Sequence, residues 1–205
     1  MTDIWGAIHA ERRALADDLA DLTAEQWRTP SLCAGWTVQD VLAHQVGTAC
    51  MNPPQFIGKM IGAGFNFARF ADKEVAKQSA GGPAATLERF REATDRTSAP
   101  PGPKVTWLGE AIVHSEDIRR PLGIKREYPR DAVLQVLDFY RNSNAIIGTK
   151  RRIAGLTLKA TDVEWSHGSG PLVEGPALSL LLAATGRKAA LDDLSGPGVE
   201  TLRSR

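Results

Sequence analysis

Apolar residues in the first part of the chain recur at helical spacing. Ile4, Ile8, Leu15, Leu19 and Leu22 form one stripe across residues 3–22, the pattern of an amphipathic helix with one buried face. The segment Arg28–Gly35 breaks the pattern, and Thr37 followed three residues later by Asp40 is close to a capping box that opens a second helix. Val38, Val41, Leu42, Gln45 and Ala49 mark its inward face. Asn52, Pro53 and Pro54 interrupt or kink that helix, because proline removes a backbone donor and disfavours helix in its predecessor. The apolar, glycine-rich stretch 55–70 that follows is expected to pack in the core, the usual place of an apolar helical stripe.

Pro83 suits the first turn of a further helix carrying Leu87, Phe90 and Ala93, and the proline-rich segment 98–104 is a connector. A helix over about 106–120 should stop at Pro121 and Gly123, with Arg119 and Arg120 near its negative end. Another follows Pro129, with Val133, Leu134, Val136, Leu137 and Tyr140 inward. From Gly155 the period changes to two: Leu156, Leu158 and Ala160 alternate with polar residues, and a turn at 168–170 with the segment 171–175 suggests a hairpin. Residues 176–187 then read as a helix, with a last short helix near Lys188. The fold class is therefore α+β and mainly α, with a helical region over 1–150, including a fifth helix at about 130–150, and a small α+β region over 151–205.

Composition narrows the function classes. Twenty-five Lys and Arg against 24 Asp and Glu leave a net charge of +1, so no field draws the chain to nucleic acid or to an anionic membrane. Neither a basic segment followed by an apolar run at the start nor an apolar stretch of membrane-spanning length occurs, and a cytoplasmic protein is expected. Cys33 and Cys50 fit no metal-ligand spacing. For Cys33 a small buried filler outweighs a reactive thiol. No phosphate-binding glycine loop or nucleophile elbow is present.

Of the four histidines, His114 stands four residues after Glu110 on an inward-looking helix, so both project from one face. A carboxylate there needs a cation or a donor. His44, among Val41, Leu42, Gln45 and Val46, is the natural partner from a facing helix. Two readings weigh equally on the residues alone: a three-ligand metal site, and a core histidine hydrogen-bonded to Glu110. Asp117 is a candidate acceptor for a ligand imidazole or a partner of Arg120. Asp40 is expected to cap, Glu116 to face solvent, and His9 and His167 to lie at the surface. Arg187 is a candidate anion or thiol contact, although its place at a helix C-terminus is favourable by itself. The five tryptophans read as packing anchors.

The segments 27–45, 109–123 and 155–198 resemble the actinobacterial mycothiol-dependent maleylpyruvate isomerase family, a branch of the DinB-like metal-binding four-helix bundles with a C-terminal α+β appendix. The resemblance implies His44, Glu110 and His114 as ligands of a divalent metal, zinc in most members. It implies mycothiol as co-substrate and a small electrophile as the acceptor, in isomerase or thiol S-transferase chemistry. A non-catalytic metal- or thiol-binding protein and a metal-dependent hydrolase are the alternatives. The middle segment, 50–105, carries the resemblance least, which leaves the electrophile open, as are the choice among divalent ions and the oligomeric state, a homodimer included.

Overall fold

The first stripe forms α1 (Ile4–Asp18), which buries Ile8 and Leu15 together with the charged Glu11 and Arg12. A one-turn α2 (Ala24–Trp27) follows. It is capped by Thr23 and Gln26 and seats Trp27 in the core. Thr37 opens α3 (Val38–Ala49) with the reciprocal cap its neighbours prescribe: its N–H donates to Asp40 Oδ2 at 2.9 Å, and Asp40 N–H donates back to Thr37 Oγ1 at 3.3 Å. Asp40 is thus occupied at the helix start.

The computed structural model describes residues 3–145 and 147–205 and divides into two compact units, one up to Arg126 and one spanning Glu127–Arg205. In the first, α4 (Pro53–Gly62) is a new helix capped by Asn52 and Gln55, followed by α5 (Phe67–Gln78), α6 (Gly82–Ala93) and α7 (Lys104–Leu122). The helices α1, α3, α6 and α7 pack around a shared interior as a four-helix bundle, with α5 laid against α3. Leu15, Leu19, Val41, Leu42, Val46, Leu87, Phe90 and Ile118 meet there. Each such side chain contributes roughly 1.5–3 kcal/mol by leaving water.

The stretch 55–70 does not join that core. No residue of α4 is buried, and Ile57, Ile61, Phe65 and Phe67 are exposed. The helix packs on α5, so Phe56, Met60 and Ala63 meet Met51 and Phe70 in a small separate cluster while the opposite stripe stays in water. Pro121 also departs from expectation, lying inside the last turn of α7. The helix ends at Gly123 (φ 70°), where Ile124 N–H bonds Arg119 O and Gly123 N–H bonds Arg120 O, a left-handed cap that favours glycine. Glu116 is buried and paired with Arg120 at 3.0 Å, instead of facing solvent.

The second unit begins with α8 (Arg130–Tyr140), which the sequence pattern alone groups with the bundle but which packs here against the apolar α10. Next come α9 (Thr149–Arg152), the strands β1 (Thr157–Ala160), β2 (Ser166–Gly168) and β3 (Leu172–Gly175), then α10 (Ala177–Ala184), a 3₁₀ turn at Lys188–Asp193 and α11 (Val199–Arg203). The sheet order is β2-β1-β3, with β2 antiparallel and β3 parallel to β1. The hairpin expected between 155–160 and 171–175 is therefore replaced by a crossing to the other edge. Gly168 and Gly170 permit it: both have positive φ, and a Cβ at either would fall 2.2 Å from a carbonyl oxygen of Leu156 or Gly155. His167 is a half-buried strand residue beside Arg141 (3.1 Å), and burial followed by that cation holds its pKa below the ordinary histidine value.

Candidate metal centre

The face of α3 turned to α7 carries His44, and the facing side of α7 carries Glu110 and His114 one turn apart. One donor atom from each residue lies within 4.8 Å of the other two. Nε2 of His44 is 3.2 Å from Glu110 Oε1, and the rings of His44 and His114 meet edge to face with centroids 4.9 Å apart. Trp36 leans on the other side of His44 at 5.2 Å. All three donor side chains are largely buried.

Among the described residues the buried Glu110 Oε1 has no partner that meets hydrogen-bond geometry, although His44 Nε2 stands 3.2 Å away. Such an orphan is costly unless something else meets it. Nitrogen and oxygen donors bound to one tetrahedral ion at about 2.0–2.1 Å sit about 3.3 Å apart. The 3.2 Å separation matches that edge. Two imidazoles and a carboxylate are a donor set suited to zinc, and they leave a fourth position for another ligand.

Burial by itself would raise the Glu110 pKa, but the contact with His44, the positive charges of His44 and His114 and the Thr48 hydroxyl outweigh it and bring it from 4.5 to about 2. The folded value lies below the unfolded one, so the carboxylate's contribution to stability is present above pH 4.5 and is lost as pH falls toward 2. For metal-free protein, urea midpoints are expected to drop more steeply across that range in the wild type than in Glu110→Gln. Parallel slopes would show that Glu110 carries no such linkage.

The other nitrogen of His114, Nδ1, lies 2.8 Å from Oδ2 of Asp117, whose side chain is 0% exposed. An imidazole that donates from Nδ1 keeps its lone pair on Nε2, the tautomer that a metal ligand bonding through Nε2 requires. Cys33 joins the same carboxylate, with Sγ 3.1 Å from Asp117 Oδ2 and 3.6 Å from His114 Nδ1. Cys33, His114 and Asp117 thus form a second group of closely spaced donors sharing His114. Contacts of 2.8 and 3.1 Å are hydrogen-bond lengths, shorter than the roughly 3.3–3.6 Å between donors around one ion. This group is a hydrogen-bonded one.

The remaining candidates lie elsewhere. His9 meets the Arg96 carbonyl at 3.3 Å. Arg187 belongs to the second unit, where its guanidinium donates to the Thr185 carbonyl at the end of α10. Sequence reasoning missed the contacts of Cys33 and of Thr48. Thr48 was legible as the residue one turn beyond His44. Cys33 is 84 positions from Asp117 and had no local signal.

A family model described as the mycothiol maleylpyruvate isomerase N-terminal domain matches residues 8–116. Two Mycobacterium tuberculosis proteins, from strains CDC 1551 / Oshkosh and H37Rv and both named as uncharacterized, are each 29% identical to the chain over 59% of its length. The chain spans 58% of the length of these curated relatives. The crystal structure of the mycothiol-dependent maleylpyruvate isomerase superposes with a TM-score of 0.65 over 95% of this chain and 92% of that one, at 15% identity. A histidine-to-alanine mutant of the same isomerase gives 0.64 over the same shares, also at 15% identity. At that identity the likeness establishes the fold.

Proposed function

Because the chain belongs to the mycothiol maleylpyruvate isomerase N-terminal domain family, we propose that it is a metal-dependent enzyme that activates mycothiol for addition or transfer to a small electrophile. The single observation that carries the reading is the convergence of His44, Glu110 and His114 around the orphaned oxygen of Glu110. These three residues would hold the ion, with zinc the fitting choice. When bound there, it supplies the positive charge that keeps a thiol deprotonated near neutral pH, below the usual thiol pKa of about 8.5.

The chain's own groups do the rest. His44 and His114 bring neutral nitrogen donors, and Glu110 brings one negative charge to offset the ion. Asp117 holds the Nδ1 proton of His114 and so keeps Nε2 directed into the site. Trp36 closes one side of His44 and restricts its ring. For an isomerase the activated thiol adds to a cis double bond, rotation follows about the resulting single bond, and elimination returns the thiol with the trans product. For an S-transferase the adduct leaves.

Metal analysis of the purified protein paired with a thiol-consumption assay tests this reading. About one divalent ion per chain is expected, with mycothiol-dependent turnover of maleylpyruvate or consumption of mycothiol with monochlorobimane. Protein without metal defeats the reading at its base. Metal-loaded protein that neither binds nor consumes mycothiol points to a binding protein, and metal-dependent hydrolysis without thiol points to a hydrolase.

A further inference from the structure

Pro121 sits inside the last turn of α7 and has no N–H, so the carbonyl four residues earlier, that of Asp117, lacks its helical donor. The N–H of Leu32 takes that carbonyl at 3.1 Å. A proline in one helix thereby creates a docking point for a turn 85 residues earlier in the chain, at Leu32. Ser31 holds that turn closed: its N–H and its hydroxyl both donate to Trp36 O, at 2.9 and 2.8 Å, and its Oγ accepts Cys33 N–H at 3.1 Å. Docked in this way, the turn delivers Cys33 to the side chain of the same Asp117.

We propose that Cys33 is a positioning residue of the metal centre: its S–H donates to Asp117 Oδ2 and holds that oxygen on Nδ1 of His114, so that Nε2 faces the metal. The inference rests on the metal-site reading above and extends it to a residue no ligand pattern would select. Asp117 Oδ2 is the oxygen that meets both the thiol (3.1 Å) and the imidazole (2.8 Å), so the two donors fix its direction together. Cys33 also packs against the bundle's apolar cluster, but packing alone does not require its sulfur to lie at hydrogen-bond distance from a buried carboxylate.

Cobalt(II) affinity, read from the ion's visible absorption in the full chain, separates the two roles. Cys33→Ala is expected to weaken binding about tenfold, at the low end for loss of an outer partner, and to alter the absorption band. Cys33→Ser, which keeps a donor, should stay within about threefold of wild type. Serine loses the sulfur's apolar bulk as alanine does, so the difference between them reports the hydrogen bond even where both cost some stability. Equal affinities for wild type and Cys33→Ala, or equal losses in the two variants, overturn the proposal while leaving the metal site standing. Wild-type protein that takes up no cobalt overturns both.

Discussion

His114→Ala is expected to reduce metal affinity by more than the roughly 100-fold that loss of an outer partner costs, because it removes a donor and the group that connects the centre to its support. Two imidazoles and a carboxylate become one imidazole and a carboxylate, which is too few protein ligands to hold zinc against water. The same change strips Asp117, with its side chain 0% exposed, of the Nδ1 partner at 2.8 Å. Metal-free His114→Ala is therefore expected to lose about 1–3 kcal/mol as well, the cost of leaving a buried acceptor short of a donor. Equilibrium dialysis with zinc measures the first effect and urea unfolding of metal-free protein the second. Wild-type metal content in this variant would remove His114 from the ligand set.

The second large effect lies outside the centre. Arg119 is 0% exposed yet charged, and its guanidinium joins two acids of α1: it pairs with Glu11, itself buried, and with Asp18 at 2.7 Å. This bridge fastens α1 to α7, the helix that carries Glu110, His114 and Asp117. Arg119→Met keeps much of the side-chain bulk but strands Glu11, whose other cation among the described residues is Arg126 at 3.6 Å. Removing one partner of a buried pair costs about 3–5 kcal/mol. For a chain of 205 residues that is a drop in Tm on the order of 10 °C. The double variant Glu11→Leu with Arg119→Met is expected to recover most of the loss, since apolar replacement of a whole buried pair is often near neutral. Calorimetric melting of the single and double variants checks both statements. A double variant no more stable than Arg119→Met would mean that Arg119 acts through something other than its charge on Glu11.

Stripes and caps carried most of the helical fold in readable form. The reciprocal cap of Thr37 and Asp40, the seat of Leu87, Phe90 and Ala93, and the arginines at the end of α7 follow from interactions within a few residues, and local spacing encodes these. The stretch 55–70 went astray because its apolar content signals a face without saying whether a neighbour covers it. The second strand pair went astray because strand direction depends on where the chain crosses, and the crossing at Gly168 and Gly170 looks in sequence like any tight turn.

By itself, the sequence determined that Glu110 and His114 share one face of one helix, because a four-residue spacing is one helical turn. It also supplied His44 as a partner of the right type on an inward face. Tertiary structure decided that the three donors meet around one point, since that depends on how α3 packs against α7. It alone decided that Asp117 Oδ2 lies at hydrogen-bond distance from Nδ1 of His114, and that Cys33, a small apolar filler by composition, reaches the same carboxylate. The contact of Cys33 joins residues 84 positions apart beside a carbonyl that a proline left open, and no local pattern in the chain records such a distance.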